Sequence, residues 1–354
     1  MKEMLDELRK LTKRAGRPLK LMEVCGTHTV AIFRHGIRDV IPEDISLISG
    51  PGCPVCVTSI RDVDSAIALS RIPNVTLATF GDMMRVPGGK ESLNDAKAQG
   101  ADVRIFYSPL DSLRLAMQAP EKEVVFFATG FETTSPLVAA TVTEAEKRGV
   151  GNFSIAAVHK LVPPALRALL NSADVRVDGF ILPGHVSTII GMKPYEFVAS
   201  AYGKPGVITG FDAGDIIQGI LMILMQIARK RAAIEIQYKK VVREEGNPKA
   251  VSLIEEVFEP CDAYWRGIGT IPGSGLRLRE RFGRFDALKK FDPYVADHPE
   301  PGACSCGDVL RGVKIPPECP LFGTACTPES PVGACMVSTE GSCAAYHRYG
   351  AYRG

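Results

Sequence analysis

Apolar positions change their period along this chain, and the change marks its architecture. Residues 3 to 14 carry Leu5, Leu8 and Leu11 at helical spacing among charged neighbours, which predicts a short amphipathic helix ended by Gly16-Arg17-Pro18. Beyond it, short apolar runs end in Gly-rich polar turns and alternate with helical stretches. The runs are Leu19 to Val24, Ile45 to Ile48, Val75 to Phe80, Val103 to Tyr107, Val124 to Ala128, Phe153 to Val158, Gly179 to Leu182 and Val207 to Ile208. Strands of this length alternating with helices predict βαβ units and a mostly parallel sheet, an α/β fold.

The runs also repeat one another loosely. Leu21-Met22-Glu23-Val24-Cys25-Gly26-Thr27-His28-Thr29 parallels Val125-Phe126-Phe127-Ala128-Thr129-Gly130-Phe131-Glu132-Thr133-Thr134, and Ser49-Gly50-Pro51-Gly52-Cys53-Pro54 parallels Leu182-Pro183-Gly184-His185-Val186-Ser187. The expected organisation is an N-terminal helix (1–17), two similar α/β domains (18–100 and 101–205), a helical segment packing on the sheets (206–250) and a loop-rich C-terminal domain (251–354). The longest apolar run, Ile216 to Ala228, is broken by Gln218, Gly219 and Gln226. It falls short of the ~20 residues that span a bilayer and reads as a buried helix.

Composition changes this picture at one point. Of 354 residues, 45% are apolar and 23% charged, and 42 basic side chains face 40 acidic ones, a balance that argues against a general nucleic-acid or membrane-surface binder. The charged start has no secretory-signal pattern, so a cytoplasmic location is expected. Ten cysteines are ordinary as a fraction until they are placed. Six of them, Cys304, Cys306, Cys319, Cys326, Cys335 and Cys343, fall in a tail of Cys, Pro and Gly too poor in large apolar residues to fold by burial alone. In a reducing compartment such thiols point to metal ligation or redox work rather than structural disulfides.

Iron–sulfur clusters take four thiolates from irregular loops, because the cluster supplies the rigid core. Cys304, Cys319, Cys326 and Cys343 give a C-x14-C-x6-C-x16-C spacing, leaving Cys306 and Cys335 over, and Cys306 competes with Cys304 for the first place. A zinc site and buried inert thiols are the alternatives, although the tight C-x2-C pairs usual for zinc are absent from this tail. Cys53-Pro54-Val55-Cys56 at a strand end has the form of a redox dithiol. Cys25-Gly26-Thr27-His28 is a candidate nucleophile or soft-metal thiolate with a basic neighbour.

In an open parallel sheet, ligands bind beyond the carboxyl ends of the strands, where the Cys25, Cys53–Cys56, Gly130–Thr134 and Pro183–Ser187 loops are all expected. Glu132 and His185 are candidates for hydrogen-bonding or acid/base groups there, with helix capping and a surface histidine as the plainer readings. Asp212-Ala213-Gly214-Asp215 is a weaker signal of the same kind. The series Arg277, Arg279, Arg281, Arg284 reads as a solvated basic face, and neither a phosphate loop nor a dinucleotide fingerprint occurs.

Cys-Gly-Thr-His-Thr (25–29), Gly-Pro-Gly-Cys-Pro-Val-Cys (50–56), Gly-Phe-Glu-Thr-Thr (130–134), Pro-Gly-His-Val-Ser (183–187) and the cysteine block from Cys304 onward occur in this order. Over nearly the whole chain the combination resembles the HypD family of hydrogenase maturation proteins. That resemblance implies two similar α/β domains, a further domain holding a [4Fe-4S] cluster, and a scaffold formed with the small chaperone HypC. On it iron acquires two cyanides and one carbon monoxide before delivery, through HypC, to the large subunit of a [NiFe]-hydrogenase. HypE, which carries the cyanide, docks on that complex.

By position, Cys25 is the expected iron ligand, shared with a cysteine of HypC, and His28 lies in the same motif. Cys53 and Cys56 are the dithiol expected to exchange electrons with the cluster, Glu132 and His185 shaping the assembly site. The competing expectation is a ferredoxin:thioredoxin-reductase-like thiol–disulfide oxidoreductase, which has no use for Cys25-Gly26-Thr27-His28. Cys261, Cys306 and Cys335 receive no task.

Overall fold

The computed structural model describes residues 1–350. Every one of the eight apolar runs forms a parallel strand: β1 (Leu19–Glu23), β2 (Ile45–Ser49), β3 (Val75–Thr79), β4 (Val103–Ile105), β5 (Glu123–Ala128), β6 (Phe153–Ala157), β7 (Gly179–Leu182) and β8 (Gly206–Ile208). A ninth, β9 (Ile234–Ile236), falls inside the segment expected to be helical. Three residues are too short to show a period, and pairing with β8 through Gly206↔Ile234 and Ile208↔Ile236 specifies the strand.

The strands are shared out differently from a division at residue 100. One sheet has the order β2-β1-β7-β8-β9 and the other β4-β3-β5-β6. The second sheet is thus built from the stretch between β2 and β7 and inserted into the first. The loose repeat hid this, because local similarity carries no information about which strand crosses back to which. At the centre of the larger sheet, β1 pairs with β2 (Leu21↔Leu47) and with β7 (Leu21↔Gly179), so residues far apart in sequence end side by side.

Each sheet is covered on both faces. The helices Lys2–Ala15 and Ala213–Ala228 lie on one face of the larger sheet, closing a core of Leu8, Leu11, Leu19, Leu21, Ile216, Ile220 and Ile223. The apolar run from Ile216 is therefore a buried helix, and among the described residues no helix is long and apolar enough to cross a membrane. Gly16, at φ 66°, ends the first helix and donates to the Lys13 carbonyl. On the opposite face the core contains Met22, Val24, Ile48, Phe180, Leu182 and Tyr195 together with Cys53, Cys56, Cys306, Cys326, Cys335 and Cys343. The cysteine tail is thus part of the main core.

An antiparallel hairpin, β10 (Phe258–Trp265) and β11 (Gly269–Leu278), lies where the sequence has no clear period. It bridges the two sheets by isolated pairings of Trp265 with Thr58 and Gly275 with Lys160. Arg277 pairs with Glu259 and Arg281 with Glu146, so the arginine series is an exposed face matched by acids.

Candidate functional site

Cys25 follows β1 and occupies the cap position of the helix Gly26–Arg34, with φ −155° and ψ 124°. Its neighbours leave no room for side chains. A Cβ on Gly52 would run into the backbone of Val24 and Cys25, and one on Gly26 into the backbone of Glu340. The Gly26 N–H donates to the Gly52 carbonyl at 2.9 Å, joining the Cys25 loop to the dithiol loop through main chain. Both glycines serve close approach.

Burial pushes the Cys25 thiol up to about 11, the nearby Glu340 carboxylate adds to this, and the Thr27 hydroxyl and the Thr27 and His28 N–H groups oppose it. Metal-free Cys25 is therefore a protonated thiol, and a cation that takes the thiolate displaces a proton.

His28 is fully buried, its Nε2 lying 3.0 Å from the Gly210 carbonyl and 2.8 Å from the Thr209 hydroxyl. A carbonyl only accepts, so Nε2 carries the hydrogen and Nδ1, which has no partner, keeps its lone pair. Burial lowers the ring to about 4, so it is neutral near pH 7. His28 and the exposed His185 both stack on Phe211, with centroids 4.6 and 4.1 Å from that ring. Partial burial also lowers His185, and Glu340 opposes the effect.

The weakly signalled Asp215 supports this wall. It accepts from Gln237 Nε2 at 2.7 Å, and Gln237 Oε1 accepts the Gly210 N–H at 3.1 Å. At the base of the site Glu23 ties β1 to its surroundings, accepting from the Ser49 hydroxyl at 2.7 Å and the Thr29 hydroxyl at 3.0 Å. Burial pushes its carboxyl up to about 7.

Cys53 and Cys56 are joined as a disulfide, with Cα atoms 5.3 Å apart and the Cys56 N–H directed at Cys53 Sγ (3.2 Å). Both are buried at the start of the short helix Pro54–Val57, which packs against the turn Ala334–Met336 that carries Cys335. Glu132 stands apart from the histidines. Its Oε1 accepts the Val162 N–H at 2.9 Å, its Oε2 has no partner, and burial pushes the carboxyl up to about 7. The buried Tyr195 hydroxyl, also unpartnered, feels both Glu132 and Cys25 and connects the two regions electrostatically.

Four of the six tail cysteines are linked in a row, and the other two accept backbone N–H groups. Cys306 Sγ lies 2.8 Å from Cys335 Sγ, and side-chain contacts continue from Cys306 to Cys304 and from Cys335 to Cys343. Cys319 Sγ accepts the Ser305 N–H at 3.4 Å, and Cys326 Sγ accepts the Val332 N–H at 3.3 Å. The closest thiol pair thus involves Cys306 and Cys335, the two that spacing left over. Spacing counts residues along the chain, whereas the turn at Gly333 and the hairpin decide which sulfurs meet.

Contacts with Cys304 and Cys335 favour Cys306 as thiolate, and those two neighbours are pushed up in turn. Burial would raise Cys319, but N–H groups of Ser305 and Leu321 outweigh it and hold the thiol below its usual range. Among the described residues no three His, Cys, Asp or Glu side chains converge on one ion position. The set is all thiol and, apart from the half-buried Cys304, buried, with N–H groups directed at the sulfurs of Cys319 and Cys326, which is the donor chemistry of an iron–sulfur cluster.

Glu340 is the residue the motifs missed. The Thr27 hydroxyl donates to its carboxylate at 2.7 Å, its N–H meets the Ser338 hydroxyl at 3.3 Å, and Ser338 in turn donates to Asp82 at 3.0 Å. The helix Ser342–Tyr349 that follows lies against Gly26–Arg34, with Phe33 edge-on to Tyr346 at 4.6 Å. No pattern around a lone Glu in a Gly-Ser-Thr stretch distinguishes it. The only available signal was Gly26, which demands that something approach closely.

The chain's resemblance extends well beyond these motifs. Residues 1–350 match the HypD family model, described as "Hydrogenase formation hypA family". The hydrogenase maturation factor HypD of Rhizobium leguminosarum is 49% identical over 361 aligned positions, covering 98% of this chain and 93% of the relative. The HypD of Rhodobacter capsulatus is 48% identical, covering 99% and 96%, and that of Escherichia coli 45% identical, covering 98% and 94%. Matched by the family model over residues 1–350 and by relatives at 45 to 49% identity along nearly its whole length, the chain belongs to the HypD family of hydrogenase maturation factors.

Proposed function

We propose that this protein is the scaffold on which the Fe(CN)2CO group of a [NiFe]-hydrogenase is assembled, in the cytoplasm and in complex with a HypC-like chaperone. The incoming iron is cargo. Cys25 is its ligand from this chain, a soft thiolate suited to low-spin iron with π-acceptor ligands, and a HypC-like cysteine completes the grip. A HypE-like protein supplies cyanide, and the finished group leaves with the HypC-like partner for the hydrogenase large subunit.

The observation that carries this reading is the main-chain seam at Gly26 and Gly52, which fixes Cys25 against the Cys53–Cys56 loop. A thiol–disulfide oxidoreductase of the ferredoxin:thioredoxin type needs the dithiol but gives Cys25, with its Glu340 and histidine wall, no work. Cys25 binds iron as its thiolate, and the displaced proton passes to solvent. Phe211, stacked between His28 and His185, forms the wall beside this site. The four places on a [4Fe-4S] cluster fall to Cys304, Cys319, Cys326 and Cys343, with Cys306 and Cys335 in contact with that set. Such a cluster supplies single electrons when bound. Cys53 and Cys56, packed against the Cys335 turn, hold an electron pair as a dithiol.

Infrared spectra of the protein copurified with a HypC-like partner test the proposal, because diatomic ligands absorb where proteins do not. Cys25→Ala abolishes the cyanide and carbonyl bands and leaves the cluster's visible absorption intact. Bands like those of the wild type in that variant would remove Cys25 from its role.

A further inference from the structure

Arg266 sits at the tip of the β10–β11 hairpin and is fully buried, with 1% of its surface exposed. A buried guanidinium is costly unless its five N–H donors are met. Among the described residues only Nε has a counter-ion, Glu300 at 3.4 Å, while the terminal nitrogens Nη1 and Nη2 have no partner there. A cation paired on one edge only, with two buried donors left over, points to a further anion that belongs beside it.

The surroundings of Arg266 identify that anion. Its N–H donates to the Val57 carbonyl at 3.0 Å, directly after Cys56. The next residue, Gly267, presses on Gly307 so closely that a Cβ on either would strike the other's backbone, and Cys306 immediately precedes Gly307. The hairpin tip is therefore wedged between the dithiol helix and the first pair of tail cysteines. Glu300 is half-buried, is pushed toward its neutral form by that burial, and reaches only one edge of the guanidinium.

We propose that Arg266 is a positioning residue for the charge of the C-terminal cysteine centre: a fixed, half-paired cation that balances the thiolates and sets the reduction potential of the cluster they hold. A cluster bound by four thiolates is anionic and gains a further negative charge on one-electron reduction. A neighbouring cation in a low-dielectric core stabilises the reduced form and raises its potential. The assignment rests on the cluster reading above and adds to it a residue from outside the cysteine tail.

The test is a dithionite titration of the anaerobically purified full chain, with mediator dyes, followed by electron paramagnetic resonance and visible absorbance. Arg266→Met keeps the stem and removes the charge, and at a fixed potential its ratio of reduced to oxidised cluster falls about tenfold, a downward shift of about 59 mV for one electron. Arg266→Lys restores the ratio to within about threefold of wild type. Glu300→Gln, which frees the guanidinium, moves the potential upward. That opposite sign keeps the proposal open to refutation even when Arg266→Met folds poorly. Equal potentials in wild type, Arg266→Met and Glu300→Gln, or a lysine variant behaving like methionine, would overturn the role of Arg266 alone. Wild-type protein without iron and sulfide would overturn the cluster reading and this assignment with it.

Discussion

The Thr27 hydroxyl and the Glu340 carboxylate, separated by 313 positions in the sequence, meet at 2.7 Å beside Cys25. The contact relies on Gly26, whose missing side chain lets the Glu340 backbone pass. Gly26→Ala forces two backbones apart, and a loss of about 1 to 3 kcal/mol in urea unfolding is expected, as for other overpacked sites. Thr27→Val removes one charge-assisted hydrogen bond and costs about 1.5 to 3 kcal/mol. In both variants, tryptic cleavage near Arg348 accelerates as the last helix loosens from Gly26–Arg34.

Thiol counting separates the dithiol from the other cysteines. With Cys53 and Cys56 paired, metal-free oxidised protein unfolded in guanidinium takes up eight equivalents of a maleimide, and ten after reduction. In the folded state both sulfurs of the pair are buried, so reduction by a bulky phosphine is slower before unfolding than after it. Equal rates in the two states would mean that the loop opens freely.

Glu132 should give the protein a pH-dependent weakness. Its carboxyl is raised by burial from 4.5 to about 7, so the folded state holds a proton that the unfolded chain releases. Stability from this group is complete below about pH 4.5 and declines as pH climbs to about 7, by roughly 3 kcal/mol at 1.36 kcal/mol per unit. Glu132→Gln lacks this decline. The difference in unfolding free energy between variant and wild type should grow with pH across that window, and a flat difference would show that Glu132 is not held away from water.

His28 has the opposite slope. Burial lowers its ring from 6.5 to about 4, so the folded state binds fewer protons than the unfolded one. Its contribution is complete above pH 6.5 and is lost as pH falls toward 4, again roughly 3 kcal/mol. His28→Gln, able to keep the donation to the Gly210 carbonyl, should lose less stability than wild type over this acid range. Nuclear magnetic resonance of the ring, read alongside, should show the Nε2–H tautomer at neutral pH.

The sequence disclosed those parts of the fold that are local. Short apolar runs ending in polar turns locate β1 to β8, because a buried parallel strand is largely apolar along its length. It concealed β9 and the β10–β11 hairpin, which are specified by pairing partners rather than by their own period. The division at residue 100 followed from proximity along the chain, whereas β1 pairs with β7 across the whole inserted sheet. In the site, Cys25, His28, Cys53, Cys56, Glu132 and His185 carry legible motifs. Phe211, Tyr195, Arg266 and Glu340 do not, since each acts through burial or through a distant neighbour that only the folded chain supplies.

The insertion of one sheet into the other also fixes a timetable. During synthesis, β1 and its Cys25 loop emerge before β7, which follows only after the whole inserted sheet, and Glu340 comes later still. The pocket around Cys25 is therefore closed by segments made well after the cysteine itself. A growing chain, or one cut before Glu340, presents the thiol without its enclosure.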